Sequence, residues 1–255
     1  MKLRVLGCSG GIGGRHLRTT SFLVDHDILL DAGTGAADLS VAELAAIDHV
    51  FLTHPHLDHI ATLPLMIDTV ADRRRRPLMV YGTEAVLAIL RQHIFNGTIW
   101  PDFSELPSPD KPFMRYQTIE PGQTLSLDSR HFTALPVDHT VPAVGYRLDS
   151  GAASLVFSGD TGICDAFWQA VNRIDNLKHL IIECAFSNRE QGLAMRSKHL
   201  CPALLATELR KLEGQCDIHI THLKPGQIEL TMEEIEHCLG DFKPGMLQNS
   251  QLFEF

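Results

Sequence analysis

Short apolar runs broken by glycine turns fill the first third of the chain, and a period-2 pattern of this kind predicts strands. Lys2 to Leu6 reads as a strand, and Gly7-Cys8-Ser9-Gly10-Gly11-Ile12-Gly13-Gly14 as a flexible loop. Ser21 to Val24 and Ile28 to Asp31 form a hairpin that turns at Asp25-His26-Asp27 and stops at Asp31-Ala32-Gly33. A short helix is expected over Val41 to Ala46, and Asp48 to Thr53 reads as a buried strand. Thr83 to His93 has helical spacing, with Val86, Leu87, Leu90 and Ile94 on one face. Residues 96–123, rich in proline and aromatics, form a long irregular connection. Strands follow at His131 to Leu135, Ala143 to Leu148, Ser154 to Ser158, Leu180 to Glu183 and Ile218 to Thr221. Helices are predicted at Ala166 to Asn172, Pro202 to Leu212 and Met232 to Leu239. Strands in both halves, each followed by helices, fit an α/β sandwich of two packed sheets with helices outside. No repeat or long linker divides the chain, so a single domain over residues 1–255 is expected.

Composition adds three constraints. At 255 residues, 44% hydrophobic and 21% charged, the chain can bury a substantial core. No apolar run approaches the roughly 18 residues of a membrane span, and the N-terminus reaches glycine too soon for a signal peptide. A cytoplasmic protein without a membrane partner is the expectation. The formal net charge is −9, from 22 Lys plus Arg against 31 Asp plus Glu, which disfavours nucleic acid as a partner. The basic run Arg73 to Arg76 reads as a solvated helix end or loop. Six scattered cysteines with no C-x-x-C pair read as reduced thiols, Cys164 and Cys184 as packing groups. The fourteen histidines are the unusual number.

Those histidines concentrate the chemistry. Thr53-His54-Pro55-His56-Leu57-Asp58-His59 begins where the apolar strand ends. His54 and His56, two apart in an extended segment, can turn their rings to one side. Asp58 and His59 follow a change of direction and can face a second ion. Such imidazoles and carboxylates suit a divalent zinc, manganese or iron ion. Three further residues each sit just past an apolar strand: His139 after Leu135-Pro136-Val137, Asp160 within Ser158-Gly159-Asp160-Thr161, and His222 after Ile218 to Thr221. Alone each reads as a cap or surface residue; together with the first cluster they can gather at one edge of the sandwich. His16, His26, His49, His93, His131, His179, His219 and His237 read as ordinary polar or partly buried residues.

The order H-x-H-x-D-H, then His, then Asp in an S-G-D-T setting, then His resembles the metallo-β-lactamase superfamily over nearly the whole chain. The resemblance implies a four-layer αββα sandwich with two mixed sheets and a two-metal site at their edge. It implies one ion held by His54, His56 and His139, another by Asp58, His59 and His222, and Asp160 bridging them. Two ions about 3.5–4 Å apart lower the pKa of a shared water and brace the oxygens of an in-line displacement. The expected cofactors are two divalent ions, zinc first, with manganese or iron also accepted by these ligands. Asp58 counts with the catalytic groups as well as the ligands.

The second half resembles the phosphodiesterase branch shared by ribonuclease Z and the class II cyclic-nucleotide phosphodiesterases. By that resemblance His199 protonates the leaving oxygen and Glu183 orients it; otherwise the two are a helix-cap histidine and a surface carboxylate. His54-Pro55-His56-Leu57-Asp58-His59 is similar to the class II signature, and Ala61-Thr62-Leu63-Pro64 departs from its continuation. The run from Ile94 to Phe103 resembles the aromatic connection of the same enzymes. Phe95, Trp100 and Phe103 either stack on a purine or pack as a lid. Lys224, in Thr221-His222-Leu223-Lys224-Pro225, either contacts a phosphate oxygen or is a solvated turn residue. The expected reaction is hydrolysis of 3',5'-cyclic AMP to the 5'-nucleotide by a metal-bridging hydroxide. A ribonuclease Z-like transfer-RNA 3' endonuclease and a thioester or lactone hydrolase are the alternatives. The partner is then a small phosphodiester, and relatives in the branch imply a homodimer.

Overall fold

The computed structural model describes residues 1–14 and 16–255. Its first half runs β1 (Lys2–Gly7), β2 (Ser21–Val24), β3 (Ile28–Leu30), α1 (Val41–Ala46), β4 (His49–Phe51), α2 (Leu57–Ile60), α3 (Thr62–Val70), β5 (Leu78–Gly82) and α4 (Glu84–His93). The strands β6 (Met114–Thr118), β7 (Thr124–Leu127), β8 (Arg130–Pro136), β9 (Val144–Asp149) and β10 (Ser154–Phe157) come next. The last part holds α5 (Asp165–Val171), β11 (Leu177–Glu183), α6 (Gln191–Ser197), α7 (Pro202–Leu209), β12 (Asp217–Thr221), α8 (Ile228–Leu239), β13 (Gly245–Met246) and β14 (Leu252–Glu254). Two sheets result, each of seven strands among the described residues, in the orders β14-β1-β2-β3-β4-β5-β6 and β13-β12-β11-β10-β9-β8-β7. Each is mixed. In the first, β3 to β6 run parallel and β14 to β3 antiparallel. In the second, β10 to β13 run parallel and β7 to β10 antiparallel.

Because successive strand residues face opposite sides, the central strands are apolar on both faces and separate three cores. Phe22, Val24, Ile28, Leu30 and Phe51 point between the sheets, where they meet Phe132, Tyr146 and Phe157. Their neighbours Leu23, Leu29, Val50 and Val80 point outward against Leu63, Ile67, Val86 and Leu90 of the helices. Val156, Leu180, Ile182 and Ile220 do the same on the other sheet, against Phe167, Leu205 and Ile235. The four layers are therefore helix, sheet, sheet, helix, as the resemblance implies. Phe51 ties the two sheets: its ring stacks on Tyr81 at 4.3 Å and on Phe132 at 4.4 Å.

The predicted strands and helices recur with small shifts, α7 ending three residues early and α8 beginning four residues early. Several elements were not predicted. Residues 96–123 are not wholly irregular, since β6 lies inside them. Its sequence MRYQT is mostly polar because β6 is an edge strand, so period-2 hydrophobicity is faint there. The departure at Ala61-Thr62-Leu63-Pro64 is the start of α3, with Pro64 in the first turn, where a missing N–H costs no helical bond. The six cysteines are all free, as read from the sequence. No helix among the described residues is long and apolar enough to cross a membrane.

Candidate metal centre

The parallel strands deliver their C-terminal ends to one edge, and the polar residues that follow them converge there. Thr53 and His54 follow β4, with α2 starting at Leu57 after His56. His139 follows β8, Asp160 follows β10, Glu183 ends β11, and His222 follows β12. Gly10 makes room for this: a Cβ there would collide with the His222 carbonyl oxygen and lie 2.9 Å from its Cδ2. The glycine loop thus packs on the site's rim at Gly10.

All seven residues expected as ligands are brought together in two groups that share Asp160. His54, His56, His139 and Asp160 form one, and Asp58, His59, Asp160 and His222 the other, with donor atoms within 4.8 Å of one another in each. His56 Nδ1 lies 3.1 Å from His54 Nε2 and 3.3 Å from His139 Nε2. The two Asp160 oxygens divide between the groups: Oδ2 is 3.4 Å from His54 Nε2, and Oδ1 is 3.4 Å from His59 Nε2 and 3.3 Å from His222 Nδ1. Asp58 Oδ2 closes the second group, 3.9 Å from His59 Nε2 and 3.7 Å from His222 Nε2. A tetrahedral ion with metal–nitrogen bonds near 2.0–2.1 Å needs ligand atoms about 3.3 Å apart. The spacing fits. His59 Nε2 and both ring nitrogens of His222 are buried with no hydrogen-bond partner, which is costly unless something else binds them.

Burial keeps most of these rings in the neutral, ligating form. It pulls His54 well below the usual histidine value, lowers His56 and His139, and brings His222 to about 4 against the opposing pull of Asp160. His59 departs from this: burial lowers it, but the carboxylates of Asp160 and Asp31 outweigh burial and hold it well above the usual value.

Asp31 is the functional residue that the sequence reading missed. It is fully buried in a left-handed backbone conformation, φ 56°. Its Oδ2 accepts from His59 Nδ1 at 2.7 Å and from the Thr53 hydroxyl at 2.8 Å, and its Oδ1 accepts from the Thr53 backbone N–H at 2.8 Å. Having given its proton to Asp31, the Thr53 hydroxyl is left to accept from His54 Nδ1 at 3.0 Å. One carboxylate therefore fixes the tautomer of two ligands and turns each Nε2 toward the centre. His139 is set in the same way by its Nδ1, which donates to the Lys198 carbonyl at 3.1 Å. The only sequence sign was a polar residue at a strand end, which a cap explains equally well.

His199 and Glu183 form a dyad beside this centre. His199 Nδ1 donates to Glu183 Oε1 at 2.6 Å, and Glu183 is completely buried. The carboxylate is clamped by backbone N–H groups of Thr161 at 3.0 Å, Ala185 at 3.1 Å and Leu200 at 3.2 Å. It is not a surface group. Burial lowers the His199 ring, yet Glu183 outweighs it and the ring is held above the usual value. Its face lies against His222 and its edge meets His139, with centroids 5.4 Å and 4.9 Å apart.

Of the two readings of the aromatic residues, burial favours packing over base stacking. Phe95 and Phe103 are 1% and 5% exposed and pack in the outer core of the first sheet, with Trp100 against the same cluster. Their hydrophobic area is already taken up by the cluster, Phe103 lying 6.2 Å from Phe113, so neither phenyl face is open to a base. Lys224 reaches the glycine loop, donating to the Gly10 carbonyl at 2.7 Å, with Phe186 beneath its ammonium at 5.9 Å.

Comparison with known proteins agrees with this geometry. A family model described as the β-lactamase superfamily domain matches residues 26–238. A Yersinia pestis protein named "Probable 3',5'-cyclic-nucleotide phosphodiesterase" is 27% identical, over 86% of this chain and 77% of its own. A Mycobacterium bovis protein named ribonuclease Z is 31% identical, over 60% of this chain and 59% of its own. The crystal structure of unliganded yeast PDE1 shares the fold at 17% identity, with a TM-score of 0.80 and 98% of each chain covered. Fold, clustered ligand residues and family match agree: the chain belongs to the β-lactamase superfamily and is a metal-dependent hydrolase.

Proposed function

We propose that the chain is a two-metal phosphodiesterase that hydrolyses 3',5'-cyclic nucleotides, cyclic AMP first, to 5'-nucleotides. The observation that carries this reading is the Glu183–His199 dyad placed against the shared-carboxylate cluster. A phosphodiester expels an alkoxide, which needs a proton as its bond to phosphorus breaks. His199 is built to give one: Nδ1 is tied to Glu183, which leaves Nε2 as the atom that delivers it. His54, His56 and His139 would hold one ion, Asp58, His59 and His222 the other, with Asp160 shared. Two such ions supply positive charge for phosphoryl oxygens and an activated water, and zinc suits the imidazole-rich set, with manganese or iron also accommodated. Asp31 and Thr53 keep the ligand rings aimed, and Lys224 stands at the rim with its ammonium on Gly10. The likeness to the Yersinia pestis protein, named for cyclic-nucleotide hydrolysis, supports the substrate. A cytoplasmic setting agrees with six free thiols.

Transfer-RNA 3' cleavage is the second reading, favoured by the likeness to ribonuclease Z. Product analysis separates the two. Incubating the metal-loaded protein with cyclic AMP should yield 5'-AMP, and a chelator should abolish it. If cyclic AMP stays intact while a transfer-RNA precursor is cut at its 3' end, the cyclic-nucleotide assignment is overturned.

A further inference from the structure

The basic run Arg73 to Arg76 has no part in the metal centre, and the fold places it at the far pole. It precedes β5, and in the parallel register His49 of β4 pairs with Met79 of β5, which pairs with Arg115 of β6. The candidate metal ligands begin at His54, five residues on from His49 and past the opposite end of β4, which puts them on the order of 15 Å away at about 3.3 Å per extended residue.

A concave cavity of about 300 Å³ opens there, lined by Arg74, Arg75, Arg76, Lys111 and Arg115, with Asp110 as the carboxylate among them. Arg75, Arg76, Lys111 and Arg115 are exposed, and the ion pairs among the described residues leave all four cations free. Arg74 anchors the floor. Its guanidinium donates to Asp48 Oδ1 at 2.7 Å and to the Ala45 carbonyl at 3.1 Å, with the Ile47 carbonyl as a third partner. Its side chain is only 2% exposed, yet its Nε is buried without an acceptor. The opposite wall is also held, since Phe113 N–H donates to the Leu106 carbonyl and Lys111 N–H to that of Ser108. In a chain of net charge −9, four unpaired cations facing one concavity repel one another and gain from an anion of matching charge. We propose that this cavity binds a small polyphosphate, a linear chain of phosphates carried free or on a nucleotide, separately from the catalytic centre. The size of the hollow fits a compact ligand, and its four exposed cations fit a multiply charged one.

The test uses the metal-loaded protein with excess magnesium and tripolyphosphate as probe, read by hydrogen–deuterium exchange. Protection is expected in peptides over 73–76 and 108–115, whatever happens at the metal ligands. In Arg75→Glu/Arg115→Glu the half-protection concentration should rise about tenfold or more, as loss of charge-assisted contacts implies. Arg210→Glu, an exposed cation on another face, should leave it unchanged. Absence of protection in the wild type, or an equal rise with Arg210→Glu, overturns the site. Protection of these peptides by a single-stranded oligoribonucleotide that tripolyphosphate cannot displace overturns the small-ligand assignment in favour of a polynucleotide surface.

Discussion

The Asp31 carboxylate holds two metal ligands at once, which makes it the residue whose loss says most about how the centre is aimed. Asp31→Asn keeps the size but removes the acceptor for His59 Nδ1–H or for the Thr53 hydroxyl. Metal affinity should fall by about 10–100-fold, measured by competition with a chromophoric chelator; unchanged affinity would show that the rings are set by packing alone. His199 invites a different comparison. His199→Ala should slow a substrate with a poor alkoxide leaving group by about 10²–10⁴-fold and a nitrophenyl phosphodiester far less. Equal losses on both would remove its role as proton donor. The candidate ligands stood out in the sequence because His54, His56, Asp58 and His59 form one dense run after an apolar strand and His139, Asp160 and His222 each sit just past another. Asp31 was not, because its partners Thr53 and His59 lie more than twenty residues away and only the pairing of β3 with β4 brings them near. The aromatic connection left two readings open for a related reason: ring type shows that a side chain can stack, and only packing shows whether it already has.

At the scale of elements, the stack of Tyr81, Phe51 and Phe132 joins strands of both sheets, so removing its middle ring should loosen the whole sandwich. Phe51→Ala is expected to cost about 3–5 kcal/mol in chemical denaturation, and a cost near zero would contradict the role of this stack in the core between the sheets. Helix α1 offers a gentler probe. Ser40 accepts from the Glu43 N–H while the Glu43 carboxylate accepts from the Ser40 N–H, a closed capping pair. Ser40→Ala should cost about 1 kcal/mol. The hydrogen bond from Arg4, with those from Ser40, lowers Glu43 from 4.5 to about 2. A depressed folded-state carboxyl stabilises the fold above pH 4.5, and that contribution is lost as pH falls toward 2. The acid-side loss should therefore be smaller in Glu43→Gln than in the wild type. Strands buried on both faces, such as β3 and β4, were easy to read from continuous apolar runs. The polar edge strand β6 and the proline-bearing α3 were not, since their identity rests on a neighbouring strand and on a helix's first turn.

For the whole molecule, the metal centre is also a clasp. Its candidate ligands come from α2 and the segments after β4, β8, β10 and β12, so bound ions would join both sheets at one edge. Free metal at a hundred times its dissociation constant should stabilise the fold by about 2.7 kcal/mol, and chelation should lower the melting temperature correspondingly. The most direct single measurement is a back-titration of metal into the stripped protein, with ion content and hydrolysis of bis(p-nitrophenyl) phosphate read on the same samples. A two-ion centre that shares Asp160 predicts activity rising with occupancy until two ions are bound per chain, and loss of both ions in Asp160→Ala. Full activity in the stripped protein, or an Asp160→Ala variant that still holds two ions, would contradict it.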